Sequence, residues 1–495
     1  MTLTHVLYYL TVGIYTLTLV YITLFCLMQL HLLWQYRKKK DVPPVVPPPP
    51  REWPMVTIQL PIYNELFVAE RLIDNIARLD YPRDRLEIQV LDDSTDETVD
   101  IVARKVEAYR RQGLQIHHIR RGSREGYKAG ALEYGLGLAR GEFIAIFDAD
   151  FLPRPDFLKR TIPWFDDPRI GVVQTRWEHI NEDYSLITRL QALQLNVHFS
   201  VEQTGRRLGN YLLQFNGTAG VWRRRAIEDA GGWQPDTLTE DLDLSIRAQL
   251  RGWKIHYLEE VGAPAELPAE MNSLKSQQYR WMKGGAETAK KMLPRVWRSN
   301  LSLTQKLHAT GHLLASSIFV FVFIAGVFSV PMLFAIDALG LEPKWYTFFL
   351  TGWLSIIAVY YVGNVQTEFL KGPYLKRVLK FVLLFPLFLA LSMGLSLHNT
   401  VAVLQGYLGK KTPFVRTPKF DIRSVGDSLR QRARYLQGRL SWLTVFEGLL
   451  AVYFLVALVE GIRTHQTWFA FFHFLLLLGY GAIFFLTVRH LKYKG

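Results

Sequence analysis

Two aspartates one residue apart, Asp148 and Asp150, close the apolar run FIAIF. Alternate residues of a strand face the same way, so both carboxylates of this D-x-D can approach one cation. Oxygen ligands suit Mg2+ or Mn2+, which would bridge a diphosphate and neutralise a departing nucleotide. The same tripeptide in a solvated loop would mean nothing; its place after an apolar run gives it weight. Asp92-Asp93-Ser94 closes a second apolar run, where a carboxylate can accept hydrogen bonds from a base or ribose, or simply cap a helix. Lys128, within REGYKAGAL, sits at a helix start where a cation and free N–H groups suit a nucleotide or phosphate. Thr239-Glu240-Asp241 opens another helix, with Thr239 at the N-cap and Asp241 on the first turn. The helix dipole favours an ionised Asp241, and an ionised carboxylate facing an acceptor hydroxyl is what a general base must be. Asp243 is the second candidate for that role. Gln277, Arg280 and Trp281 fall at i, i+3 and i+4 and share one helix face. The guanidinium can clamp a diphosphate, and the indole offers a flat apolar platform for a sugar ring.

These residues need a scaffold that brings strand ends together. VTIQL from Val56, the run Leu86 to Leu91 and the run Phe143 to Phe147 read as strands, with helical patterns between them. That alternation predicts an α/β domain over 55–295 with a mainly parallel, Rossmann-like sheet and right-handed crossovers. Ligands of such sheets bind beyond the carboxyl ends of the strands, where these acidic clusters lie.

The rest of the chain is of another kind. Of 495 residues, 49% are hydrophobic, yet 58 Lys and Arg outnumber 44 Asp and Glu, for a net charge of +14. Membrane spans with basic flanks explain both features. Nucleic-acid binding is set aside, because no basic stripe with interleaved aromatics lies outside those flanks. The one cysteine, Cys26, rules out an intramolecular disulfide and a thiolate zinc site. Residues 1–40 hold a span from Val6 to Trp34, followed by Arg37-Lys38-Lys39-Lys40, which places that end in the cytosol. Residues 41–54 are a Pro-rich linker, stiff and extended. Leu313–Ile336 and Trp345–Val365 are two further spans within 296–404; Leu443–Ile462 and Trp468–Val488 are two more within 441–495, before a basic tail. Residues 378–404 are ambiguous. If they crossed, Gly409 to Leu440 would lie outside with nine basic and two acidic residues, against the positive-inside rule. An interfacial or re-entrant helix is therefore expected there, giving five spans and a cytosolic loop over 405–440.

The order D…DxD…TED…QxxRW resembles that of the processive family-2 glycosyltransferases of the cellulose synthase superfamily. The stretches FNGTAGVWR from Phe215 and from Thr239 through Gly252-Trp253-Lys254 are most similar to cellulose-synthase-like mannan and glucan synthases and their bacterial relatives. The resemblance implies a GT-A fold and a single-displacement, inverting reaction that yields β linkages. It implies Asp92, Asp148 and Arg280 at the donor, where the residue reading also puts Asp93 and Lys128; it implies Asp148 and Asp150 at the metal, and Asp241 as base. Gln277, Trp281 and the Phe215-Asn216-Gly217 turn would hold the acceptor. Downstream, Phe414-Val415-Arg416-Thr417-Pro418-Lys419 is similar to the F-x-V-T-x-K gating loop of cellulose synthase, with Arg416 where that pattern has Val. Thr417 and Lys419 would then reach the donor diphosphate. The bland alternative is a basic loop touching anionic lipid.

The protein expected on these grounds is a hexosyltransferase that extends a growing polysaccharide from UDP-glucose or GDP-mannose and exports it across the bilayer. A non-processive transferase to a lipid acceptor is the alternative. An inactive channel or sensor, from another class, is opposed by intact Asp148, Asp150, Asp241 and Arg280. The catalytic domain is expected in the cytosol, at a bacterial plasma membrane sooner than in the Golgi. Donor sugar, linkage and oligomeric state are open at this level.

Overall fold

The computed structural model describes residues 2–39, 45–423, 426–427 and 440–491. The end of the basic cluster at Lys40, the start of the linker, most of 424–440 and the last four residues of the tail lie outside that range.

Seven strands form one sheet: β1 (Val56–Ile62), β2 (Leu86–Asp92), β3 (Gln115–Ile119), β4 (Phe143–Ile146), β5 (Ile170–His179), β6 (Gly220–Arg223) and β7 (Lys254–Ala265). Their order is β3-β2-β1-β4-β6-β5-β7. The pairs β1–β2, β2–β3, β1–β4 and β5–β7 are parallel, and β6 runs antiparallel to both β4 and β5. Six strands therefore end at one edge, and β6 alone starts there. The run Val56 to Leu60 is buried throughout, as expected of strands covered on both faces. One face packs Ile58, Phe147 and Phe157; the other packs Leu132, Ile146 and Trp222. Trp222 is fully buried, and truncating such a ring typically costs about 3–5 kcal/mol.

The helix Met271–Arg298 joins the two parts of the molecule. Glu270 caps it by accepting from Asn272 N–H at 2.7 Å, and Lys275 pairs with Glu447 of the helix Trp442–Arg463 at 2.8 Å. Both charges are buried, so removing either one alone would strand the other. Tyr279 Oη donates to Gln405 at 2.5 Å and ties the same helix to the helix Ser396–Tyr407.

Among the described residues six helices are long and apolar enough to cross a membrane: Leu3–Lys38, Ala315–Ala338, Tyr346–Gln366, Tyr374–Gly394, Trp442–Arg463 and Thr467–Leu491. They suggest a multi-pass membrane protein. Five of these are the expected spans. Tyr374–Gly394 opens the ambiguous region and, by length and composition, is able to cross as well. It packs on two partners: Phe381, Phe385 and Phe388 lie on Leu190 and Leu193 of the helix Leu186–Val197 in the sheet domain, while Ala390, Met393 and Gly394 meet Leu475, Leu476 and Gly479 of the helix Thr467–Leu491.

Candidate active site

The strand ends surround a cavity of about 220 Å³. From β4 come Asp148 and Asp150. Lys128 Nζ donates to Asp148 Oδ1 at 2.5 Å and to the Gly217 carbonyl at 2.9 Å, joining the helix Tyr127–Leu138 to the turn before β6. Gly217 lies at φ +78°, and a Cβ there would stand 3.0 Å from Asp241 Oδ2. Only glycine meets both demands. Asp150 Oδ2 accepts from Lys419 Nζ at 2.7 Å and from the Glu266 N–H at 3.2 Å.

Asp241 stands on the first turn of the helix Glu240–Leu250, as expected. The cap is different. Thr239 makes no side-chain cap, and its hydroxyl meets that of Thr288 at 3.0 Å. The expected effect of the dipole on Asp241 is also overridden. Burial, with Glu240 beside it, pushes the Asp241 carboxyl up to about 7, against the pull of Lys128. Its Oδ1 accepts from Leu242 N–H at 2.8 Å. Asp243 is fully buried and bound by Arg247 at 2.8 Å and Lys291 at 2.9 Å, so it holds the helix in place.

Gln277, Arg280 and Trp281 all border the cavity from one helix face. Burial pushes the Arg280 guanidinium down to about 10, still a cation at neutral pH. It donates to the Val415 carbonyl at 3.0 Å and to Thr417 Oγ1 at 2.8 Å, and it lies 4.8 Å from the centre of the Phe414 ring. The segment from Phe414 to Lys419 therefore sits in the cavity.

Two expected site residues fall elsewhere. Asp92 is 1% exposed and turned from the cavity; its oxygens accept from Ser94 N–H and meet His118, each at 2.8 Å. Asp93 borders the cavity instead, held by Arg121 at 2.6 Å. Phe215 is fully buried and packs edge-on against Trp222, leaving Asn216 and Gly217 to face the cavity. A residue just past an apolar strand has two sides, and spacing alone does not tell which of the aspartates faces in.

Other residues at the cavity are given no role by the motifs, Arg124 included, although it opens REGYKAGAL. The Arg124 guanidinium lies 3.3 Å from the centre of the Tyr63 ring, a flat stack at the end of β1. Glu65 meets Arg416 at 2.9 Å. Glu266, just past β7, accepts from Phe420 N–H at 2.9 Å through Oε1, while its buried Oε2 has no hydrogen-bond partner among the described residues. Burial pushes that carboxyl up to about 7. Tyr63 and Glu65 have a signal in the sequence, their place at a strand end; Glu266 has none.

The donor set fits a hard divalent cation. Asp148 and Asp150 supply only oxygen, and each already carries an ammonium group at hydrogen-bond distance. Among the described residues no three His, Cys, Asp or Glu side chains converge as ligands, so this pair would hold a cation together with oxygens of a bound donor.

A mostly parallel sheet with acidic strand ends, a cavity lined by both carboxylates and cations, and a bundle of apolar helices fit the GT-A class of glycosyltransferase. The model of Glycosyltransferase like family 2 matches residues 54–284. A glucomannan 4-beta-mannosyltransferase 1 of Oryza sativa is 36% identical over 394 residues, covering 77% of this chain and 71% of the relative. The chain belongs to glycosyltransferase family 2. A glucomannan 4-beta-mannosyltransferase 7 of Arabidopsis thaliana is 37% identical over 326 residues, covering 64% of this chain and 58% of the relative. Matches to several other curated relatives span about half of their length. Among solved structures, the mannosyltransferase PcManGT of Pyrobaculum calidifontis, in complex with GDP-Man and Mn2+, superposes with a TM-score of 0.55 at 22% identity. It covers 80% of this chain and is covered entirely, a likeness of fold.

Proposed function

We propose that the protein is an inverting, processive β-glycosyltransferase that builds a β-1,4-linked mannan or glucomannan and passes it through its own membrane helices. GDP-mannose is the donor favoured by the relatives' named activity and by the ligand of the archaeal structure. UDP-glucose is the second candidate. One observation carries the catalytic part: Asp241 borders the same cavity as Asp148, Asp150 and Arg280, yet no cation contacts its carboxylate among the described residues.

The chemistry follows from that arrangement. Asp241 takes the proton of the acceptor hydroxyl as its oxygen attacks the anomeric carbon. The bond from that carbon to the diphosphate breaks on the opposite face, so the configuration inverts. Arg280 and Lys419 neutralise charge that develops on the leaving diphosphate. Asp148 and Asp150 would hold a Mg2+ or Mn2+ ion, which as a Lewis acid supplies further charge stabilisation when bound. Tyr63 with Arg124 offers a flat surface to the base, with Asp93 nearby, and Trp281, Gln277 and Asn216 receive the acceptor sugar.

Topology supports a cytosolic site. The loop after Ser396–Tyr407 supplies Thr417 and Lys419 to the cavity, so the chain must be on the catalytic side both before Tyr374 and after Tyr407. Five crossings satisfy this, and a single crossing by Tyr374–Gly394 does not. That helix then lies at the interface, between the sheet domain and the helix Thr467–Leu491. The plant origin of the curated relatives gives no support to a bacterial membrane over the Golgi.

The test is a panel of labelled sugar nucleotides on the purified protein, with linkage and length analysis of the product. Long β-1,4-mannan made from GDP-mannose supports the reading. A single sugar transferred to lipid would replace it.

A further inference from the structure

The segment Phe414 to Ile422 fastens itself to the groups that the reaction uses. Thr417 accepts from Arg280 at 2.8 Å, and Lys419 donates to Asp150 at 2.7 Å and to the Glu266 carbonyl at 3.1 Å. Beyond them Phe420 and Ile422 are buried against Ala269, and Asp421 pairs with Arg71. Arg416 follows Val415 and precedes Thr417, the two residues that Arg280 holds, and it is where the segment departs from the F-x-V-T-x-K pattern. Its guanidinium meets Glu65 at 2.9 Å, with the two side chains 14% and 11% exposed. A valine would bring only apolar burial to this point. An arginine here needs a counter-charge at contact distance, and β1 ends where Glu65 supplies it. Burial, with Asp150 nearby, outweighs the pull of Arg416 and Lys419 and pushes the Glu65 carboxyl up to about 8, so it is the 2.9 Å contact with Arg416 that ties Glu65 to the segment.

We propose that Arg416 and Glu65 are a positioning pair that seats Thr417 and Lys419, and that the seated segment serves as the site's internal counter-ion. Divalent cation and donor diphosphate then enter by exchange: the cation displaces Lys419 from Asp150, and the diphosphate displaces Thr417 from Arg280. Lys419 and Thr417, freed together, are placed to turn onto the diphosphate. Arg416 keeps hold of Glu65 throughout and acts as the pivot. The inference goes beyond the choice of sugar and product, and rests on Asp150 and Arg280 as the cation and diphosphate groups.

The test uses the full chain in nanodiscs without donor. Hydrogen exchange should show 414–422 protected in the wild type. Glu65→Gln and Arg416→Val should speed exchange there at least tenfold, and Arg416→Lys should restore most of the protection. Strands β1 and β4, followed in the same experiment, report whether each variant is folded. Titration with Mn2+ alone, read by electron paramagnetic resonance, supplies the second arm. Lys419→Met should bind Mn2+ at least several-fold more tightly than the wild type, and so should Glu65→Gln. The latter sign is decisive, since removing whatever negative charge Glu65 carries could by itself only weaken cation binding. Free exchange of 414–422 in the wild type would overturn the proposal, as would weaker Mn2+ binding by Glu65→Gln with protection unchanged. If Glu65→Gln does not fold, Lys419→Met decides: Mn2+ affinity equal to the wild type overturns the exchange. Wild-type Mn2+ binding by Asp148→Ala with Asp150→Ala would instead sink the cation assignment, and the exchange with it, leaving the clasp to the protection data.

Discussion

Asp150 and Asp241 border one cavity and are treated in opposite ways. Asp150 has an ammonium group at 2.7 Å and a backbone N–H on the same oxygen. Asp241 has no cation in contact among the described residues, a carboxylate for a neighbour, and a proton affinity raised to about 7. The first environment pairs a carboxylate with a cation, and the second makes a carboxylate ready to take a proton. Residue type is the same at both points. The neighbours differ, and that divides charge-holding from proton transfer.

The division breaks most sharply at the charge-holding end. Excess chelator should reduce transfer to background, and Mn2+ or Mg2+ should restore it. Full activity in EDTA would remove the cation from Asp148 and Asp150. Asp241→Asn comes next, because it keeps the shape and loses the base. Turnover should fall about 10² to 10⁴-fold. Donor affinity, measured by nucleotide-sugar titration, should stay near that of the wild type. Wild-type turnover in this variant would move the base elsewhere.

A smaller effect sharpens the same contrast through pH. A carboxyl with its pKa raised to about 7 is protonated below that pH and cannot accept the acceptor's proton. Turnover should therefore rise about tenfold per pH unit up to about 7 and then level off. Glu266 is also pushed up to about 7, so it must be separated from Asp241. Glu266→Gln should leave the inflection in place. A profile flat from pH 5 to 8 would show that no such carboxyl controls the step.

Much of the fold and site is legible in the sequence. The strand ends at Asp148 and Asp93, the helix face with Gln277, Arg280 and Trp281, and five of the six apolar helices come from period and length. Asp92 and Phe215 mark where that legibility stops. Whether a residue at a strand end, or in the turn that leads into a strand, faces the cavity or the core depends on the next few backbone angles. Ser94 and His118 decide it for Asp92, and Trp222 for Phe215. Thr239 loses its cap to Thr288, a residue 49 positions away, which local sequence does not report. Glu266 and the Glu65–Arg416 pair are of the same kind. Each depends on two distant segments meeting, and the departure at Arg416 acquires a reason only once Glu65 is beside it.

The smallest effect on turnover should come from Asp243, two residues from the proposed base. Asp241 and Asp243 share a helix and a charge, but Asp243 is fully buried between Arg247 and Lys291, on the side that packs against Met271–Arg298. Asn in its place leaves those two cations facing a neutral group. Breaking a buried pair in this way typically costs about 3–5 kcal/mol, because the stranded charge loses its partner without regaining water. Asp243→Asn should thus lower the thermal unfolding midpoint of the purified protein by several degrees. Turnover per folded molecule should change only a few-fold, since no part of Asp243 reaches the cavity. The comparison must be made per active site, with folded protein counted by nucleotide binding. A drop in turnover matching that of Asp241→Asn, with stability intact, would mean that the two aspartates have been assigned the wrong way round.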